Sequence, residues 1–495
     1  MKFARLNFSR ALFATIALSC ILTSRAAPVN VAEVEADADS NTDGPQYAPV
    51  NFAGSTTKTS GGVTYHALSD PGSDTTSTYS GHAATVRNRL LAADGANDPI
   101  EDIYCLYAGD FLGTYLYTPS STSQNATRPE TIGNGIKVMN HSYIQGFNTT
   151  DENKDAIRKL DYMTRREDLV NVTGAVSPNP QNNSHETPLL WANRNGLAVR
   201  GTQTFNPTHA DGIGKTHADL WGPKNGSGND EASSYETPGV AGYAAGLIDL
   251  ADQNGWDNGT NGLRHEVVKS ILMTGTDKTD FSSNGFTSWT NETANNLDNH
   301  NGAGRADYDT SQNVLIAGPQ TVAEVSGSTI ENPNLTSSLE GWWYEDAIPG
   351  ADKQALILDL SEQSITELTA TLAWDVTQEE TTQGPFQILD TTDAGQIFAN
   401  LDLELLPVIE SNGTYTLGDS LGIAGLSSTA TEDNLEHLYF TDASLDAGLY
   451  AFTISNNSDF SWNYGFSYSA IVIPEPTALL LLVSAGAICL FRRHT

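Results

Sequence analysis

Two patterns of apolar spacing meet near residue 310, and the change between them constrains the fold more than any other feature of the chain. Before it, NGIKVMNHSYI (134–144) reads as a strand, and DENKDAIRKLDYMTRREDL (151–169) sets Ala156, Ile157, Leu160 and Met163 on one helical face. LVNVTGAV (169–176) and NGLAVRGTQ (195–203) read as further strands. Strand, helix and strand in succession predict an α/β domain with a mostly parallel sheet and helices on both faces. From about 311 onward the segments ALILDL (355–360), ELTATLAWDV (367–376), IFANLDLELL (397–406), EHLYFTDA (436–443), GLYAFTISN (448–456) and GFSYSAIVI (465–473) are short, apolar or alternating, and separated by polar turns. That pattern predicts an antiparallel β-sandwich.

Charge narrows the partners. Against 60 acidic residues stand 25 basic ones, a net charge of -35 in 495 residues. Binding to nucleic acid needs a basic footprint, so it is excluded as a function class, and scattered acid on a polar surface serves solubility. Of the 3 cysteines, Cys20 and Cys489 lie in terminal apolar segments, which leaves Cys105 without a partner and no disulfide or thiolate metal framework. At the N-terminus Lys2, Arg5 and Arg10 precede the apolar run Ala11 to Leu22, with small residues around Ser24-Arg25-Ala26; this reads as a secretory signal peptide. At the other end Pro474-Glu475-Pro476, the apolar run Ala478 to Phe491 and Arg492-Arg493 form a short membrane-compatible segment stopped by cations. Its three parts resemble, in order, the PEP-CTERM sorting signal, which implies export, transient retention in the inner membrane through a short transmembrane helix, and sorting to the envelope or outer surface.

Between these ends, ASSYETPGVAGYAAGLIDLA (232–251) carries the chemistry. A serine at a helix N-terminus lies among N–H groups that lack intrahelical partners and can steady an oxyanion. Pro238 is tolerated near the first turn. The same letters also contain a capping box, Ser233 with Glu236, which needs no catalysis. The window resembles the nucleophile motif of subtilisin-like serine proteases, G-T-S-x-A-x-P-x-V-A-G, with Ser234 at the nucleophile and Pro238, Val240, Ala241 and Gly242 on matching positions. LRHEVVKSILMTGTDKT (263–279), GAGRADYD (302–309) and HADLWGPKNG (217–226) resemble other segments of that family. VMNHSYIQG (138–146) resembles its substrate-lining strand, which implies an extended peptide or protein substrate paired along that edge.

The resemblance extends to the other catalytic positions. SGHAATVRNRLLA (80–92) is similar to S-G-H-G-T-H-V-A-G and puts His82 at the general base, although Ala83, Ala84 and Thr85 depart from the pattern. AVSPNPQNN (175–183) lies where the family holds its oxyanion-hole asparagine; Asn179 is best placed, with Asn182 as the alternative. The family's D-T/S-G aspartate has no counterpart between Pro45 and Ser69. VAEVEADADS (31–40) has the rhythm of V-A-V-I-D-T and puts Glu35 at the acid; Glu35 could equally belong to a solvated acidic segment with Asp37 and Asp39. The order acid, histidine, serine is that of subtilisin.

The C-terminal segments resemble the jelly-roll domain that follows the protease in larger subtilases, with Trp374, Leu401, Leu403, Leu438, Tyr450 and Phe452 filling the space between two sheets. Asp375 and Asp402 could offer oxygens to calcium, the one cofactor considered; no other metal site is expected. The expected division is a signal peptide at 1–26, a subtilase-like α/β domain at 27–310, a β-sandwich of jelly-roll type at 311–472 and a sorting tail at 473–495. The expected function is a secreted, surface-sorted, monomeric serine endopeptidase using Ser234, His82 and Glu35, with Asn179 at the oxyanion. The alternative is a catalytically inactive surface or matrix binding protein on the same scaffold. It is motivated by the absent D-T/S-G, the changes after His82 and the few residues between Ala26 and the first strand, too few for a folding pro-domain.

Overall fold

The computed structural model of this chain describes residues 28–36, 46–70, 77–93, 99–116, 129–143, 150–175, 190–202, 215, 217–224, 227–229, 231–256, 261–279, 281, 289–376, 379–380, 388–389, 399–431, 433–441 and 445–474. The signal segment at 1–26 and the apolar run Ala478 to Phe491 lie outside them. Among the described residues no helix is long and apolar enough to cross a membrane.

In the first half, strands β1 (Asn30–Glu35), β2 (Thr57–Ser60), β3 (Val63–Ala67), β4 (Asp102–Tyr107), β5 (Ile136–His141), β6 (Val170–Ala175), β7 (Leu197–Arg200) and β8 (Leu220–Trp221) form one sheet in the order β2-β3-β4-β1-β5-β6-β7-β8. The β2–β3 hairpin is antiparallel and the remaining pairings are parallel. Helices α1 (Gly81–Ala93), α2 (Thr150–Glu167), α3 (Ser233–Gln253), α4 (His265–Thr274) and α5 (Tyr308–Ile316) accompany it. Side chains alternate across a strand, so β1 has two buried faces. Val31 packs with Cys105 and with Leu90, Val240 and Ala241 of α1 and α3. Ala32 and Val34 face the other way, toward Leu106, Met139 and the α2 residues Ala156, Leu160 and Met163. Helices therefore cover both faces of a mostly parallel sheet, as the spacing predicts.

The second half is β-structured. Strands Glu340–Ile348, Gln363–Ala373, Leu435–Phe440 and Trp462–Pro474 make an antiparallel four-stranded sheet. A larger sheet contains Ala323–Ser326, Thr329–Ile330, Lys353–Leu360, Leu401–Ser411, Thr414–Leu417 and Gly448–Asn456. One apolar core fills the space between the two, and Trp374, Leu401, Leu403, Leu438, Tyr450 and Phe452 all lie in it. The larger sheet differs from an open sandwich layer. Lys353–Leu360 pairs with Ala323–Ser326 as well as with Gly448–Asn456, which closes the strands into a barrel-like ring and satisfies edge groups that would otherwise be bare.

Candidate active site

β1 ends at the site. Glu33 and Glu35 are two residues apart on one strand and so share the face of Val31, beneath α1 and α3. α1 begins where Ser80 Oγ accepts the Ala83 N–H at 3.2 Å, an N-cap that sets His82 as the second helical residue. His82 Nδ1 and Glu35 Oε2 are hydrogen bonded at 2.9 Å, with the Glu35 side chain 3 % exposed and His82 32 % exposed. Held on its Nδ1 side by a carboxylate, the imidazole turns Nε2 outward.

α3 delivers the serine. Its cap is Ala232, whose carbonyl accepts the N–H groups of Tyr235 and Glu236 at 2.8 and 3.2 Å. Ser234 is thus the second residue of its helix, and its N–H precedes the first intrahelical bond. The Tyr235 ring lies against His82, centroids 5.2 Å apart, which brings the Ser234 corner beside the base. Ser234 and His82 make no hydrogen bond with each other, a common condition of catalytic pairs without substrate. Two glycines permit the approach. A Cβ on Gly242 would lie 2.4 Å from the Leu90 carbonyl oxygen, so α1 and α3 touch backbone to backbone. One on Gly201, just after β7, would lie 2.4 Å from the Ser233 nitrogen and 2.5 Å from the Glu231 oxygen. Gly201→Ala is expected to displace the head of α3, costing about 1–3 kcal/mol of stability. Denaturant unfolding would show this as a lower midpoint at unchanged m-value.

Electrostatics couple the acid and the base. Burial pushes the Glu35 carboxyl up to about 7, opposed by its bond to His82. The same bond raises His82 above its ordinary 6.5, against burial. The two titrate as a pair with one proton between them, and the last proton leaves above pH 6.5 to give Glu35 carboxylate and neutral His82. Burial also pushes Glu33 well above the usual carboxylate range, with the Glu35 charge adding to it. Glu33 is fully buried and neither of its carboxyl oxygens has a hydrogen-bond partner among the described residues, so it stays neutral beside the Glu35–His82 pair.

Several expectations need correction. Ser233 and Glu236 do not form a capping box: Ser233 is already helical, and Glu236 Oε1 accepts instead from the Glu231 N–H, outside the cap, at 2.6 Å. Pro238 is in the second turn, and the N–H it lacks is the one that would reach the Ser234 carbonyl. β5 is no edge over 138–141, where β1 and β6 flank it; Ser142 and Tyr143, beyond the strand, lie outside those pairings. Asn179 and Asn182 lie outside the described residues. Of the two aspartates considered for calcium, Asp375 Oδ1 bonds His265 Nε2 at 2.8 Å and Asp402 Oδ2 accepts from Asn457 Nδ2 at 2.6 Å. Asp168, His265 and Glu266 do bring ligand-type atoms within 4.8 Å of one another. His265 Nδ1 and Nε2 each lie 2.8 Å from a carboxylate oxygen, of Asp168 and of Asp375 respectively.

No family model and no curated protein matches the chain. Solved structures show weak similarity. "Tripeptidyl Peptidase 2" is similar over 80% of this chain at 9% identity and a TM-score of 0.27, and this chain spans 40% of that one. A mitogen derived from Yersinia pseudotuberculosis is similar over 28% of this chain and 87% of its own, at 15% identity and a TM-score of 0.17. A family 6 carbohydrate-binding module is similar over 31% of this chain and 95% of its own, at 10% identity and a TM-score of 0.13. At such scores the likenesses carry no weight for fold or function.

Proposed function

We propose that this chain is a serine endopeptidase of subtilisin type, exported and sorted to the cell surface, with the α/β domain at 27–310 doing the chemistry and the β domain at 311–472 packed behind it. The single observation that carries the reading is the buried Glu35–His82 hydrogen bond of 2.9 Å at a corner shared with the head of α3. In the mechanism this implies, Ser234 Oγ attacks the peptide carbonyl carbon while His82 Nε2 takes its proton. Glu35 holds Nδ1–H and balances the imidazolium. The Ser234 N–H, at the positive end of α3, faces the developing oxyanion, with Asn179 as its second donor. Collapse of the intermediate breaks the C–N bond, and His82 returns the proton to the leaving amine. Water then repeats the sequence on the acyl-enzyme.

The test is to incubate the purified chain with an unfolded protein substrate across a range of pH. Internal cleavage is expected, at a rate that rises with pH through an inflection above 6.5 as His82 becomes neutral. Peptides captured and recovered intact at every pH would favour the non-cleaving binding protein instead.

A further inference from the structure

At the head of α4 an imidazole nitrogen and two carboxylates converge. His265 and Glu266 are the first two residues of α4, and Asp168 directly follows α2. The His265 ring turns Nε2 to Asp375 Oδ1 at 2.8 Å; Asp375 stands two residues past the strand Gln363–Ala373 and is buried. An ionised carboxylate oxygen can only accept, so Nε2 carries a proton and the lone pair of the neutral ring lies on Nδ1. Nδ1 is 2.8 Å from Asp168 Oδ1, which also accepts the His265 N–H, and 3.3 Å from Glu266 Oε2. Glu266 Oε2 is buried, on a side chain 2 % exposed, and has no hydrogen-bond partner among the described residues. A proton on Nδ1 would serve Asp168 and leave Glu266 Oε2 bare, whereas a divalent cation among the three groups serves all of them. The geometry points to a divalent transition-metal site, of the zinc class, formed by His265 Nδ1, Asp168 and Glu266, with Asp375 holding the ring from behind.

Spacing and surroundings fit such an ion. Zinc holds nitrogen and oxygen ligands at about 2.0–2.2 Å in a tetrahedron, which separates two ligand atoms by about 3.3 Å, as Nδ1 and Glu266 Oε2 are separated here. Asp168 Oδ1 is nearer and has to give by roughly half an ångström, which its 22 % exposed side chain permits. A metal-bound histidine characteristically donates its other N–H to a carboxylate, the part Asp375 takes. Glu266 is oriented in the same way: its other oxygen, Oε1, accepts from Asn463 Nδ2 at 2.5 Å and from Arg264 at 3.3 Å, and neither donor bonds Oε2. Arg264 also lies 3.6 Å from Asp168 Oδ1 and Arg165 lies 3.8 Å from Asp375 Oδ2, so two guanidiniums offset part of the carboxylate charge. The donor set selects the metal. One imidazole with carboxylates suits zinc and its first-row neighbours, whereas calcium takes about six to eight oxygens. Asp168, the partly exposed member, gives the ion a path from solvent and access to water as a further ligand. Bound there, the ion ties the end of α2 to the start of α4 and, through Asp375, to the β part. The site is structural and independent of the Ser234 chemistry.

The test uses the untagged full chain, stripped with a chelator and then equilibrated with zinc. About one zinc per chain is expected by elemental analysis, with a thermal midpoint about 3 °C or more above that of the stripped protein. Glu266→Gln and Asp168→Asn keep the side-chain shapes and should each weaken zinc binding about 100-fold or more, and their midpoints should no longer respond to zinc. Asp375→Asn, which acts through the ring alone, should weaken it about 10- to 100-fold. X-ray absorption at the zinc edge of the wild-type protein should show imidazole and oxygen ligands and no sulfur. A folded wild-type chain that retains no zinc, zinc binding of equal strength in all three variants, or a metal shell without imidazole would overturn the inference. Should the variants not fold, the zinc content and absorption spectrum of the wild-type chain still decide.

Discussion

Replacing Glu35 by Gln is expected to lower kcat/KM on a peptide substrate roughly 10⁴-fold with little change in KM, a loss of about 5 kcal/mol of transition-state stabilisation. Glu35 Oε2 is the bonded partner of His82 Nδ1, and it is buried, so no water can replace it there. An amide in its place carries no charge to balance the imidazolium. If its NH₂ faces the ring, it moves the imidazole proton to Nε2, which then cannot accept from Ser234. The fold should survive, because the amide has the same shape and burial has already raised the Glu35 carboxyl to about 7, so little folding energy rests on its charge. Glu35→Asp keeps the charge but retracts it by one methylene from a strand that cannot follow, and a loss of about 10²-fold is expected. Steady-state kinetics on both variants, with circular dichroism as the folding control, would check the pair. Full activity in Glu35→Gln would remove the acid from the catalytic assignment.

Ser234→Ala should cost about 10⁴- to 10⁶-fold in kcat and nothing measurable in stability. Ser234 is half-buried, and its hydroxyl has no hydrogen-bond partner among the described residues, so truncating it disturbs no packing network. Ser233 is the contrast. It is 1 % exposed, its carbonyl accepts from Thr237 Oγ1 at 2.6 Å, and its Oγ would lie 3.5 Å from a Cβ placed on Gly174 of β6. Ser233→Ala should therefore affect stability before activity. The reverse pattern would put the nucleophile at the wrong serine.

The parts legible in the sequence were those that local periodicity controls. The spacing of Ala156, Leu160 and Met163 predicts α2, and the likeness of VAEVEADADS to V-A-V-I-D-T puts Glu35 at a strand end. In the structure Glu33 shares the Glu35 face, but the letters alone cannot distinguish an acid sealed under two helices from a solvated one. Strand order is equally hidden: VMNHSYI reads as a strand whether it lies at an edge or, as β5 does, between two neighbours. Gly201 looks like a loop glycine until the head of α3 is placed against it. Asp375 reads as an oxygen ligand at a strand end, and its actual partner, His265, is 110 positions away in the chain. Closure of the larger β sheet depends on strands of two to four residues, too short for any period to register.

The most direct test is labelling of the folded chain with a fluorophosphonate, followed by mapping of the adduct by mass spectrometry. A single adduct on Ser234 is predicted, absent from Ser234→Ala, sharply reduced in Glu35→Gln, and formed faster as pH rises past the His82 titration. Folded protein that takes up no probe, or takes it up at another residue, would contradict the assignment of Ser234, His82 and Glu35 as an active site.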